Sequence, residues 1–594
     1  MHTMKRINLI LSIITLTLFS CGDDFLNEPP LDRITDNDVW TDKALTDAYI
    51  FQIYENMPWD YLKDFGGGAG GGAFRDALSD LAMSTYSWTP ATNQFRPGIW
   101  GTANNSWPMD YWGYDNLWKI NYAIENVELA GSEVFTNEER NNRLGELYFL
   151  RAFSYFERVK RYGGVPIILE AQDPDTTPED EYFPPRNTEK EVYDQILADT
   201  QLAFDLLPNR WSAQKGRANR WAAKSLESRA ALYAASIAKY GQVQLNGLVG
   251  VTASEANNYY QISLNASNRI ITEGGYTLFD KYPNKADNYA NLFLDETEDE
   301  TIFMKIWLPF EKGHSYDLRQ VPYSYRVDWG SSMSPTKQLI DSYEVLSTGL
   351  LPNEPGSGYD EDNPWENRDP RLKGTILTNN DIFQGLPVEI WYGTERNGVL
   401  DTDRGTGVGK DGIGLHPDVT KTGFYVRKYL QDGGAPLFIK QFFSGQDCIL
   451  FRLGEIYLNA AEAAFELGQE NAARDFIEPI RTRAGLQQNL RLQVQSGVAL
   501  RDKIRHERKL ELAFEDQRYW DVRRWRIATE ALSIQVQGVR TLRSIDGFGN
   551  ETFTYETFDA ESLQMDFDER HYYMPIGQGR ISNNNKLVEN PLYD

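Results

Sequence analysis

Along much of this chain, apolar residues recur at helical spacing in paired stretches separated by polar turns. Ala44 to Tyr54 and Leu117 to Leu129 form one candidate pair; Leu144 to Arg161 and Glu189 to Leu206 form the next, with Pro208 closing the latter. Trp221 to Tyr240 carries Ala222, Ala223, Ala230, Ala231, Ala234, Ala235 and Ala238, small enough for close helix approach, and Glu255 to Thr272 is predicted to return against it. In Leu453 to Leu467 and Glu470 to Arg483, Gly468 sits at the turn, Tyr457 and Ala461 on the first helix, and Ala473, Ile477 and Ile480 on the second. That spacing approximates the tetratricopeptide pattern, although long insertions between pairs distinguish it from a plain repeat array. Residues 276–449 have another texture, rich in Gly, Pro, Asp, Asn and Tyr with no sustained period, which predicts loops and short strands laid over the helices. Binding residues concentrate on such loops. From Ile504 to Trp525 no proline or glycine intervenes, and the stretch reads as one helix. Arg508, Glu511, Glu515 and Arg518 follow one another at three- and four-residue steps along it. A solvated face has the same spacing, but the interleaved Tyr519, Trp520 and Trp525 predict a partly buried network whose members satisfy one another.

The N-terminus changes the picture from a plain helical protein to an exported one. Lys5 and Arg6 precede a largely apolar run from Ile7 to Phe19, too short to span a bilayer, and the combination reads as a secretory signal over residues 1–20. The run ends in Leu18-Phe19-Ser20-Cys21, which looks like a bacterial lipobox with Cys21 as the lipidated first residue. With Cys21 acylated, Cys448 has no partner in the chain, so no disulfide framework is expected despite export. The formal charge of −26 over 594 residues becomes two units more negative once Lys5 and Arg6 leave with the signal. Such a surface repels nucleic acid and anionic lipid and argues against a polyanionic ligand.

The charged stretch also carries a likeness. Glu507, Arg508, Glu511, Leu512, Glu515, Arg518, Asp521, Arg523, Arg524 and Trp525 fit the pattern E-R-x-x-E-L-x-x-E-x-x-R-x-x-D-x-R-R-W, with Arg505 displaced from its usual place ahead of it. The pattern resembles the C-terminal signature of the SusD/RagB family of Bacteroidetes. Trp112 to Asn126, Leu150 to Pro166, Arg368-Asp369-Pro370-Arg371, Arg452 to Glu462 and the Met574-Pro575-Ile576 to Tyr593 tail fit it in order. Cys21, Phe25, Leu26 and Pro30 match the family's mature start. The resemblance implies a mainly α fold, a TPR-like scaffold of about four helix pairs with large loop-rich insertions carrying short strands. It divides the chain into a signal peptide (1–20), an N-terminal helical region (21–275), a loop-rich insertion contributing to the ligand site (276–449) and a C-terminal helical region (450–594). It further implies a lipid-anchored protein on the outer-membrane surface, seated as a lid over a SusC-like TonB-dependent transporter.

Catalytic patterns mostly fail. Ser334 to Lys337 matches S-x-x-K and Lys421-Thr422-Gly423 matches K-T-G, but no S-x-N lies between them. Gly66 to Gly72 follows no strand, and Gly405 to Asp411 lacks the Ser or Thr of a phosphate loop. The histidines have no metal-ligand spacing, and the acidic run Asp360 to Asp369 reads as a solvated loop before a calcium site. No metal, cofactor or catalysis is therefore expected. Two aromatic groups remain: Trp59, Trp88, Trp100 and Trp107 with Arg75, Arg96, Asn104 and Asn105, and Trp307, Tyr316, Tyr323, Tyr325 and Trp329 in the insertion. Sugar rings stack their C–H faces on exposed aromatics, and their hydroxyls need Asn, Asp, Arg or backbone partners. In SusD-like proteins the glycan site is built from these two regions. The predicted binding residues are therefore Trp59, Arg75, Trp88, Arg96, Trp100, Asn104, Trp107, Trp307, Tyr323, Tyr325 and Trp329, each tryptophan having core as its competing role. The function expected is capture of an oligosaccharide for delivery to the transporter. Capture of peptides and a surface glycoside hydrolase are the alternatives.

Overall fold

The computed structural model describes residues 36–62, 74–102, 109–212, 215–432, 440–486, 491–562 and 564–593. The signal segment, Cys21 and Gly66 to Gly72 lie outside the described residues. The helices of seven residues or more are α1 (Lys43–Glu55), α2 (Asp115–Leu129), α3 (Asn137–Tyr162), α4 (Glu189–Leu206), α5 (Arg220–Tyr240), α6 (Ala256–Glu273), α7 (Lys285–Asn291), α8 (Leu453–Glu466), α9 (Glu470–Arg483), α10 (Gly497–Glu511) and α11 (Arg518–Arg524). The strands of three residues or more are β1 (Ala82–Ser84), β2 (Thr301–Lys305), β3 (Met333–Pro335), β4 (Trp391–Arg396), β5 (Val399–Asp401), β6 (Cys448–Arg452), β7 (Gln537–Ile545) and β8 (Glu551–Asp559). Among the described residues no helix is long and apolar enough to cross a membrane.

The predicted pairs form: α1 packs on α2, α3 on α4, α5 on α6 and α8 on α9. Local chemistry starts them. Thr136 with Glu139 and Thr188 with Glu191 make reciprocal capping boxes at α3 and α4, and Asn219 caps α5. Gly468, at φ +79°, turns α8 into α9. The alanines of α5 are all buried, which lets α4 and α6 close on it from either side. Although about 180 residues separate them in sequence, α6 and α8 also pack together, so the insertion is extruded sideways from a continuous helical stack. An antiparallel ladder between β2 and β6, Cys448 opposite Lys305, closes the insertion at its base. A four-stranded sheet in the order β8-β7-β4-β5 joins it to the C-terminal hairpin. The apolar interior is divided accordingly. One cluster fills the helical stack, and a second gathers insertion residues with Leu62, Leu81, Leu510 and Phe514.

One element differs from expectation. The stretch from Ile504 to Trp525 is two helices, α10 and α11, broken at 512–517, where Phe514 and Asp516 adopt φ of +61° and +57°. Tertiary partners stabilise the break by taking the carbonyls that the helix end leaves open. The Tyr289 hydroxyl donates to Glu511 O, the Arg452 guanidinium donates to the same oxygen at 2.8 Å, and Lys428 Nζ donates to Ala513 O at 2.7 Å. The bend lets Glu511 and Glu515 converge on Arg452, at 2.7 Å each. Arg371 reaches Glu507 at 2.7 Å and Glu511 at 3.1 Å, Arg483 pairs with Glu300 and Glu511, and Arg508 with Asp521 at 2.7 Å. All are buried. The network is thus more deeply enclosed than the spacing suggested.

Removing one partner of such a network leaves charges without compensation, so Arg452→Ala is expected to lose about 3–5 kcal/mol of stability in urea titrations. The pH profile follows from the same charges. Burial by itself raises the Glu511 carboxyl, but Arg483, Arg452 and Arg371 outweigh it and hold the group near about 2. A depressed carboxylate contributes stability above its unfolded pKa of about 4.3 and loses it as pH falls toward 2. Burial raises Asp76 and Glu298 to about 7, so their contribution is present at low pH and fades as pH climbs from about 4 to 7. The thermal midpoint is therefore expected to fall steeply as pH drops from about 4 toward 2, as scanning calorimetry across pH would read.

Candidate functional site

The site begins with a strand pairing across some 250 residues of sequence. β1 runs antiparallel to β3, Ser84 opposite Met333. The Thr85 N–H extends the ladder to Ser332 O at 3.0 Å, and the Tyr86 hydroxyl donates to Gly330 O at 2.6 Å. The loops leaving the two strands therefore emerge side by side. On that base Trp88 stacks on Tyr86, with centroids 5.5 Å apart and planes 19° apart. Trp329 meets both at steep angles, 5.7 Å from Tyr86 and 6.1 Å from Trp88. The Arg319 guanidinium lies 4.6 Å from the Trp329 centroid. Tyr86 is buried beneath while Trp88 stays 44% exposed, so the cluster presents flat apolar surface to solvent from a rigid footing.

Polar groups lie around it. Asn93, exposed, donates to Trp88 O at 3.2 Å. His416 lies 5.2 Å from the Tyr323 ring and has its Nδ1 3.5 Å from Asp418. Burial raises the Tyr86 hydroxyl pKa, and the Asp418 charge adds to that. Burial lowers the Lys421 ammonium against the pull of the same carboxylate. An aromatic platform with amide, carboxylate and ammonium groups nearby has the two components sugar recognition needs, a stacking face and hydroxyl partners.

Several predicted binding residues prove structural. Trp59 is 4% exposed and packs on Phe153 and Phe303 at 5.1 and 5.3 Å. Trp100, 2% exposed, lies between Phe95 and His571, 5.2 and 4.2 Å away. Trp307 is 6% exposed beneath Lys305. Trp59 and Trp100 offer no open face because the helical stack and the C-terminal tail complete a core that neither local sequence contains, whereas Trp307 is closed in by Lys305 and His314 of its own stretch. Arg75 is buried against Asp516, its Nε 2.6 Å away. Arg96 forks onto Glu561 at 2.9 and 3.0 Å and donates to the carbonyls of Ala77 and Ala82, so it holds β1 in place. Tyr325 bonds Phe383 O at 2.7 Å, and Tyr323 has Arg326 4.1 Å from its centroid; both are half-buried supports of the 321–331 loop. Asn104 and Trp107 lie outside the described residues. Of the predicted set, Trp88 and Trp329 come together as a platform.

Tyr86, Arg319, His416 and Asp418 were missed. Only Tyr86, two residues before Trp88, carried a local signal. The S-x-x-K and K-T-G segments do meet, the Lys421 N–H donating to Ser334 Oγ at 2.9 Å. Ser334, however, is fully buried and bonded to Thr85, and Lys337 is paired with Asp341; these contacts tie the loops together. Among the described residues no cluster of three or more His, Cys, Asp or Glu is arranged to hold a metal. In thermal and urea unfolding, Trp100→Ala is expected to cost about 3–5 kcal/mol, as for other buried aromatics, and Trp88→Ala less than about 1 kcal/mol.

Two family models match, one described as the SusD family over residues 299–593 and one described as starch-binding associating with outer membrane over residues 31–232. SusD-like protein P38 of Formosa agariphila is 25% identical over 427 residues, covering 70% of this chain and 72% of that protein. A SusD-like protein from Bacteroides fragilis has a solved structure that superposes with a TM-score of 0.70 at 26% identity, over 95% of this chain and 100% of the other. A second Bacteroides fragilis structure, of a SusD-like carbohydrate binding protein, has a TM-score of 0.69 at 21% identity, over 93% and 100%. With the extruded insertion, the buried charge network and the paired β1 and β3 loops in place, the chain belongs to the SusD/RagB family.

Proposed function

We propose that this protein captures oligosaccharides at the cell surface, without catalysis, and passes them to a SusC-like TonB-dependent transporter to which it is apposed through a lipid anchor on Cys21. The observation that carries the reading is the Trp88–Tyr86–Trp329 cluster, an exposed aromatic face on a rigid strand-paired base. Support comes also from the starch-binding, outer-membrane description of the matched family and from the carbohydrate-binding relative with the same fold. A net charge of −26 favours a neutral glycan over a polyanionic one.

Magnitudes set the kind of binding. An aromatic platform covering about 60 Å² at about 25 cal/mol per Å² contributes roughly 1.5 kcal/mol. Two or three such contacts, less the cost of association, suit micromolar-to-millimolar capture of a ligand that must be released again. Affinity electrophoresis through gels containing neutral polysaccharides tests the reading. At least one glycan is expected to retard the wild type, with Trp88→Ala and Trp329→Ala each weakening retardation about tenfold. No retardation by any glycan, alongside binding to tryptic peptides, would sink the sugar reading, and release of soluble product from a bound polysaccharide would sink the non-catalytic one.

A further inference from the structure

The first helix pair carries an aromatic cleft that shares no residue with the Trp88 platform. Tyr114, Trp118 and Tyr122 follow one another at four-residue steps across the start of α2 and so form a stripe along one face of that helix. Trp118 and Tyr122 are stacked, with centroids 4.9 Å apart and planes 12° apart. The Trp118 Nε1–H donates to Gln172 O at 2.8 Å. The indole is thus covered on one face and fixed at its edge, yet it remains 41% exposed, which leaves the other face open. Opposite it, the segment around Ile168 to Gln172 and Tyr182 supply the second wall, tied together by Gln172 Nε2 donating to Glu181 O at 2.8 Å. The open cleft measures about 290 Å³, close to the lower end of small-molecule sites, which begin at about 300 Å³.

We propose that this cleft is a second saccharide subsite, taking one or two units of a neutral glycan chain; the assignment rests on the glycan-capture reading above. The open indole face and Tyr182 are the stacking surfaces, and Lys119, Glu170 and Gln172 in the lining are the hydroxyl partners. The ligand's charge class follows from the neighbouring chain. Asp173, Asp175, Glu179, Asp180 and Glu181 are all exposed beside the cleft, so sulfated or uronate chains are repelled. Two weak subsites on one chain hold a long polymer by effective concentration, each raising the occupancy of the other when one strand reaches both.

The test uses the purified protein in gels containing a neutral polysaccharide that retards the wild type. Trp118→Ala, and independently Tyr182→Ala from the opposite wall, are expected to weaken retardation about fivefold, with thermal midpoints close to wild type. Residual retardation of Trp88→Ala is expected to vanish when Trp118→Ala is added. If both cleft variants migrate like the wild type while Trp88→Ala does not, the second subsite is overturned and the first stands. If charged polysaccharides engage the cleft more strongly than neutral ones, the ligand class is overturned. Failure of every glycan to retard the wild type removes the glycan reading itself, and the subsite with it.

Discussion

The structure depends on a set of charges that have no access to water. Arg371 from the insertion, Arg452 from β6 and Arg483 from α9 all converge on Glu511, with Glu300, Glu507 and Glu515 taking their remaining donors. A buried charge without a partner is costly, and its partner must hold a defined geometry. The network therefore constrains position more than it adds net stability. It brings together segments that the chain separates by up to about two hundred residues, and it holds the extruded insertion against the helical stack at one place. The break between α10 and α11 belongs to the same arrangement: a straight helix would not carry Glu515 back to Arg452 while leaving its end carbonyls to Arg452, Tyr289 and Lys428.

The constraint reaches the surface through a few further pairs. Arg518 and Lys509 grip Asp80 at 2.8 and 3.0 Å, two residues ahead of β1, while Arg75 meets Asp516 and Arg96 meets Glu561. With these anchors on one strand and the β1–β3 ladder on the other, Trp88 and Trp329 are presented on backbone that has little freedom to move. Arg75 and Arg96 therefore hold the platform in position through their own ion pairs, although their residue type and their neighbourhood in the sequence suggested direct ligand contact. A pre-set platform loses less entropy on binding, which matters when each contact is weak.

One arrangement of rings recurs at the surface. The two exposed tryptophans with stacked partners, Trp88 on Tyr86 and Trp118 on Tyr122, are each backed by a second ring. The backing ring removes one face from water and fixes the orientation of the other. Their surroundings differ in charge: exposed carboxylates at Asp173, Asp175, Glu179, Asp180 and Glu181 lie beside Trp118, whereas the Arg319 guanidinium stands over Trp329 in the cluster with Trp88.

Legibility in the sequence followed the range of the interactions. The helix pairs, their caps and the alanine-rich face of α5 were legible because period, capping and close packing are written in residues a few positions apart. The charge ladder was legible as a pattern, since Arg508, Glu511, Glu515 and Arg518 are neighbours along the chain. Its partners Arg371, Arg452 and Arg483 were not, and for that reason the break at 512–517 was unforeseen. The aromatic residues show the limit most clearly. Trp59, Trp88 and Trp100 look alike in local sequence, but Phe303 covers the first and His571 the third, whereas Trp88 and, on α2, Trp118 each keep one face in solvent beside a stacked tyrosine. The sequence by itself determined the family, the helical scaffold and the supply of rings. The tertiary structure decided which rings face the solvent, because burial is a property of what packs against a side chain from distant parts of the chain.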